Sequence, residues 1–164
     1  MNRKLPKQQG TEDLPLSRAA QLILDESRML LPGIQALFGF QLIAVFNQTF
    51  SEKLTQFEQQ LHLLAIGLIV LTTIIIMTPA AYHRQMEVKE VTESFIHMAS
   101  KLMLISMIPL SISICLDFYL VSSLILKNEP VSLLIAFVSF ALFILEWIVI
   151  PRTGILNRVL GGER

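Results

Sequence analysis

The stretch Leu61–Arg84, LHLLAIGLIVLTTIIIMTPAAYHR, limits what this chain can fold into more than any other part of it. The 19 residues from Leu63 to Ala81 carry no charge. As an α-helix they reach roughly 28 Å, close to the ~30 Å hydrocarbon core of a bilayer. A helix on the surface of a soluble domain carries a polar stripe beside its apolar one, and this segment has none. Pro79 precedes an abrupt return to polarity at Tyr82, His83 and Arg84. An amphipathic ring and a snorkelling cation suit the headgroup zone. The segment therefore predicts a membrane span with a marked exit.

Composition extends that reading to the whole chain. Of 164 residues, 53% are hydrophobic and 16% charged; about 25% charged is usual for soluble domains. The mean hydropathy is +0.61. The formal net charge is zero, so nothing favours a nucleic-acid partner. The single cysteine, Cys115, leaves no internal disulfide and no Cys-based metal site. It lies in an apolar run, where a small buried hydrophobe is the plainer reading than a reactive thiol.

Three further spans follow from the same criterion. Residues 1–16 read as a flexible cytoplasmic tail. No apolar h-region follows the basic Met1–Gly10, so the first apolar stretch is expected to act as an uncleaved anchor. Ser17–Leu31 carries apolar residues at helical spacing and reads as a short amphipathic helix at the membrane surface, with Asp25 and Arg28 able to pair. The first span covers about 29–51, with Pro32 and Gly33 placed for a kink at its start. Gly33, Ala36 and Gly39 form a small-residue stripe suited to close helix contact. A polar loop over Glu52–Gln60 leads to the second span, about 61–82.

Gln85–Lys101 places Val88, Val91, Phe95 and Met98 on one face, which predicts a helix projecting into water and running unbroken into the third span, about 102–126. Pro109 is expected to bend that span, with Ser106 and Ser113 placed to satisfy the carbonyl it frees. Ser122–Pro130 reads as a tight turn, with Pro130 suited to the first turn of the next helix. The fourth span, about 130–151, is expected to stop at Pro151 and Arg152. Residues 153–164 form a cytoplasmic tail containing Gly161-Gly162.

The cations are distributed by side. The N-terminal arm holds Arg3, Lys4, Lys7, Arg18 and Arg28; the middle connection holds Arg84, Lys89 and Lys101; the tail holds Arg152, Arg158 and Arg164. The other two loops hold Lys53 and Lys127 alone, so the division is eleven against two. The positive-inside rule then puts both termini and the middle connection in the cytoplasm. The fold class that results is an all-α, integral-membrane four-helix up-down bundle with an N-terminal cytoplasmic amphipathic helix; the membrane domain covers 17–152.

Few polar residues lie where a bilayer makes them costly. Glu146 sits about one turn inside the cytoplasmic end of the fourth span, with Lys101 at similar depth as its expected partner. Asp117 forms a candidate outer polar site, to be satisfied by water from outside or by a partner such as Asn47 or Gln48. Each reads as a structural or interfacial group, or as a station for an ion or a proton. Gln35 and Gln41 read as interhelical glue. His62, His83 and His97 show no metal-ligand spacing, and no cofactor motif, phosphate cradle or nucleophile elbow occurs.

Glu26-Ser27-Arg28-Met29-Leu30-Leu31-Pro32-Gly33-Ile34-Gln35, then Phe38-Gly39-Phe40-Gln41-Leu42, then Pro79-Ala80-Ala81-Tyr82-His83-Arg84 carry a resemblance. Over about residues 20–150 the chain resembles a family of small bacterial multispan membrane proteins catalogued only as a domain of unknown function, marked by E-x-R-x-L-L-P-G-x-Q and P-A-A-Y-H-R blocks. The resemblance implies four spans in a bacterial inner membrane and no known activity. Both blocks fall on the cytoplasmic side by charge. Glu26, Arg28, Gln35, Tyr82, His83 and Arg84 are therefore expected to form a polar belt with Lys101 and Glu146 as neighbours. Such a belt either fixes helix ends or receives an anionic headgroup, an ion or a small partner. The expected function is that of a non-enzymatic scaffold or accessory protein, with the lipid bilayer and a second copy as partners in a homodimer or small homo-oligomer. The alternative is a small oligomeric ion or proton pathway using Asp117 and Glu146.

Overall fold

A computed structural model describes residues 14–86 and 91–153. All its long elements are helices: α1 (Leu16–Val45), the short α2 (Gln48–Lys53), α3 (Gln56–Gln85), α4 (Glu93–Leu126) and α5 (Glu129–Ile144). From α5 the chain continues through a π-helical turn (Leu145–Val149) into α6 (Ile150–Thr153), one apolar rod over Glu129–Thr153. Four helices are long and apolar enough to cross a membrane. The chain is an all-α four-helix bundle, and it reads as a multi-pass membrane protein. One end of the bundle, the terminal end, carries the start of α1, the α3–α4 connection and α6. The other, the hairpin end, carries α2 and the α4–α5 turn.

The helices pack unequally. α4 lies against α3 most extensively, and α1 closes a three-helix unit with both. α5 packs chiefly on α4, and Ser132 is its one buried residue. Two apolar clusters hold the three-helix unit. Near the terminal end Ala20 of α1 meets Phe95 and Ala99 of α4, with Ile23, Val91 and Met98 around them. Deeper in, Ile34 of α1 packs with Ile69 and Ile76 of α3.

Helix ends follow local chemistry. Thr55 and Glu58 form a reciprocal capping box at the start of α3, and Thr92 caps α4 through the Phe95 amide. α4 ends on Lys127, whose φ of 51° is left-handed, and Asn128 immediately caps α5. That two-residue joint, with Pro130 in the first turn of α5, is tighter than the turn expected from Ser122 onward.

Several expectations change. The amphipathic segment and the first span are one continuous 30-residue helix, unbroken at Pro32. Both halves are anchored, Ala20 on α4 and Ile34 on α3, so the lost hydrogen bond at Pro32 does not separate them. The amphipathic half accordingly packs on α4. α1 ends at Val45, and α2 occupies part of the expected end of the first span and part of the expected loop.

The third span does run unbroken from its projecting start, beginning at Glu93; Val88 lies outside the described residues. Ser106 donates to Met103 and Ser113 donates across to Ala65 of α3, so neither hydroxyl satisfies Ile105, whose carbonyl Pro109 frees. The fourth helix does not stop at Pro151. The π-turn just before it joins the Ile150 amide to the Leu145 carbonyl, five residues back. This wider turn relieves the clash a proline ring makes with the preceding turn. The tails, including Gly161-Gly162, lie outside the described residues.

Candidate functional site

Asp117 is the centre of a polar clasp near the hairpin end that joins three helices. The Gln41 side chain of α1 donates through Nε2 to Asp117 Oδ2 at 2.6 Å and to Ser113 Oγ at 3.1 Å. Ser113 in turn donates to the Ala65 carbonyl of α3 at 2.9 Å. His62 of α3 lies 2.9 Å by Nε2 from the Gln41 carbonyl and 3.3 Å by Nδ1 from Asp117 Oδ1. Gln41, His62 and Ser113 are buried, and Asp117 is half-buried. Phe50 of α2 sets its ring edge-on to His62 at 5.2 Å, which covers the clasp from the hairpin end.

This geometry has a chemical consequence. A carbonyl oxygen only accepts, so His62 Nε2 carries a hydrogen. A neutral ring then turns the Nδ1 lone pair towards a carboxylate oxygen, and two acceptors at 3.3 Å repel unless a proton lies on one of them. A proton shared by the pair would remove that repulsion and leave it neutral overall, the state that costs least in a membrane. The contact is close but off the line of a hydrogen bond, and both Asp117 Oδ1 and Gln41 Oε1 are buried acceptors without a hydrogen-bond partner among the described residues.

The expected partners of Asp117 were the wrong ones. Asn47 caps α2 by accepting from the Thr49 amide, and Gln48 is the first residue of α2 and exposed. Gln41 and His62 take their place. The usable signal was depth. Gln41 lies four residues from the end of α1, His62 six from the start of α3 and Asp117 nine from the end of α4, all counted from the hairpin end.

The expected polar belt at the terminal end is only partly assembled. Arg28, His83 and Arg84 line one cavity of about 520 Å³ between α1 and α3, together with Ser27, Leu31 and Met77. Tyr82 instead stacks on Phe95 at 6.1 Å, and Glu26 is exposed. Arg28 pairs with Asp25 at 3.2 Å, as expected, in an exposed contact. Gln35 faces outward from α1 and bonds to nothing across helices among the described residues.

Lys101 and Glu146 are separated. No ion pair joins them among the described residues. Lys101 lines a groove of about 340 Å³ between α4 and α5 with Trp147 and Arg152. Glu146 sits exposed in the π-turn, beside a second groove of about 380 Å³ that also holds Cys115 and Phe118. Cys115 is buried, as expected. Asp117 of α4 faces α1 and α3 while Glu146, in the π-turn, borders the groove between α4 and α5, so the two acids lie on opposite sides of α4.

A family model described as a family of unknown function (DUF6328) matches residues 9–151. The chain belongs to this family. The DUF6328 match covers all four long helices, the clasp and the terminal-end cavity, so these features lie within the family domain. No curated protein and no solved structure matches this DUF6328 chain.

Proposed function

We propose that the chain is a non-enzymatic scaffold or accessory protein of the bacterial inner membrane that acts by associating with a second copy of itself in the bilayer. The observation that carries this is the outward side of α1. Gln35 is exposed there, one turn from Gly39 and beside Ala36. A side-chain amide facing lipid lacks partners, and small residues beside it let a second helix approach closely enough to supply them. A Cβ added at Gly33 or Gly39 meets nothing within 4 Å, so the stripe is not used for packing within the chain. Among the buried serines of α4, Ser113 donates across to the Ala65 carbonyl of α3, while Ser106, Ser111 and Ser122 donate to carbonyls three residues back in their own helix.

The test is oligomeric state in dilute liposomes, read by photobleaching of singly labelled protein. Two-step bleaching is expected for the wild type, and mostly one-step bleaching for Gly39→Leu and Gln35→Leu. Strictly one-step bleaching of the wild type sinks the proposal.

A second reading, an oligomeric proton or ion pathway using Asp117 and Glu146, is favoured by the 3.3 Å contact between the His62 ring and the Asp117 carboxylate. Because Asp117 and Glu146 lie on opposite sides of α4, such a path needs more than one copy. Proteoliposome flux tests it. No flux in the wild type, or flux unchanged in both Asp117→Ala and Glu146→Ala, ends that reading.

A further inference from the structure

We infer that the terminal-end cavity between α1 and α3 is a binding site for one anionic phospholipid, its phosphate held by Arg28 and Arg84 and an acyl chain lying along Leu31 and Met77. The inference rests on the bilayer placement of the helices and not on self-association.

Three observations converge. First, the cavity, about 520 Å³, takes its cations from both helices, Arg28 from α1 and Arg84 from α3, and no carboxylate among the described residues lines it. Planar guanidinium groups suit phosphate oxygens in two-point contacts. Arg28 has a neighbour in Asp25, but that pair is exposed, with Arg28 76% and Asp25 60% accessible, so the guanidinium is free to exchange partners. Second, His83 Nδ1 is buried at this cavity without a hydrogen-bond partner among the described residues. A headgroup oxygen or hydroxyl can partner that nitrogen once the ring turns towards the cavity. The His83 ring is held in place by Phe95, 5.6 Å away. Third, the deeper wall is apolar, formed by Leu31 and Met77. Cations at the mouth and hydrocarbon below match an amphiphile; a free phosphate ion has no use for the lower half. Basic pockets between membrane helices, at the depth where a headgroup lies, select anionic lipids on this principle.

The groove holding Lys101 and Arg152 is the rival position. It has two cations as well, but it is smaller and has no orphaned polar atom.

The experiment is native mass spectrometry of the full-length protein released from detergent with phosphatidylglycerol, phosphatidylcholine or inorganic phosphate. Retention is scored per chain, so it is read equally from a monomer or a dimer. Phosphatidylglycerol is expected to be retained on the order of tenfold better than phosphatidylcholine, from two surface-level cations. Arg28→Gln with Arg84→Gln should abolish that preference, and Lys53→Gln with Lys127→Gln at the opposite end should preserve it. Ala81→Trp, which obstructs the cavity with both cations intact, should also weaken retention, and it serves if the double arginine variant does not fold. Three results overturn the site: preference unchanged in both the arginine and Ala81 variants; preference lost instead in Lys101→Gln with Arg152→Gln; or displacement of the lipid by inorganic phosphate alone.

Discussion

At the scale of residues, the two glutamines of α1 show what a linear reading leaves open. Gln41 and Gln35 are equally polar and equally embedded in an apolar run, yet Gln41 is 3% exposed and bonded to Asp117 and Ser113, while Gln35 faces outward. Six residues rotate a helix by about 240°, so only one of them can face the bundle. Which one does so depends on where Ile34 and Ala20 pack, and that is a tertiary fact. The clasp makes a quantitative prediction. Asp117→Ala leaves the Gln41 amide with Ser113 alone, and Gln41→Ala leaves the carboxylate with His62 alone, so the two losses overlap. A double-mutant cycle on unfolding in mixed micelles should return a coupling of about 0.6–1.7 kcal/mol, the range found for hydrogen bonds between membrane helices. Additive losses would show that the 2.6 Å contact contributes nothing to stability. His62→Ala belongs to the same unit, and its cost should shrink in the Asp117→Ala background.

At the scale of elements, the spans were legible because hydrophobic length alone sets them, and their ends were not. The segment Thr55-Gln56-Phe57-Glu58 carries the S/T-x-x-E pattern of a helix start, but it lies ahead of the apolar run, so hydrophobic length alone assigns it to the loop. Thr55 Oγ1 accepts from the Glu58 amide at 3.3 Å, and the Glu58 carboxylate accepts from the Thr55 amide at 2.8 Å. The same carboxylate accepts from Ser123 of α4 at 3.1 Å, so this cap also ties α3 to α4 at the hairpin end. Thr55→Ala should therefore cost about 1 kcal/mol of stability, the usual loss for an N-cap threonine. Hydrogen exchange should rise at Glu58 and Gln59 while the middle of α3 stays protected. Uniform exchange along α3 would mean that the cap does not fix the helix start. The π-turn at Leu145–Val149 had a weaker signal, Pro151 just beyond it, which was read as a stop. A proline inside an apolar helix can be accommodated by widening the preceding turn, without ending the helix. Pro32, Pro79 and Pro109 all lie inside continuous helices here.

At the scale of the whole molecule, helix lengths and charge together set an orientation that one set of labels can test. α4 has 34 residues and α1 has 30, or roughly 51 and 45 Å, against a hydrocarbon core of ~30 Å. The polar residues lie at the terminal end of both, over Ser17–Arg28 in α1 and Glu93–Lys101 in α4. The excess length is therefore expected to project from that end, where Ala20, Phe95 and Ala99 bind the two helices together. Arg18, Arg28, Arg84, Lys101 and Arg152 all belong to this end, and Lys53 and Lys127 to the other. Cations resist translocation, so the projecting end should be the cytoplasmic one. In a Cys115→Ser background, a cysteine at Gln56 should react with a membrane-impermeant maleimide in intact cells. Cysteines at Gln21 and Ser94 should react only after lysis. Because α1, α3, α4 and α5 alternate in direction, the three positions must agree as a set. Labelling of Gln21 and Ser94 in intact cells, with Gln56 silent, would invert the molecule and place the arginine-lined cavity on the outside.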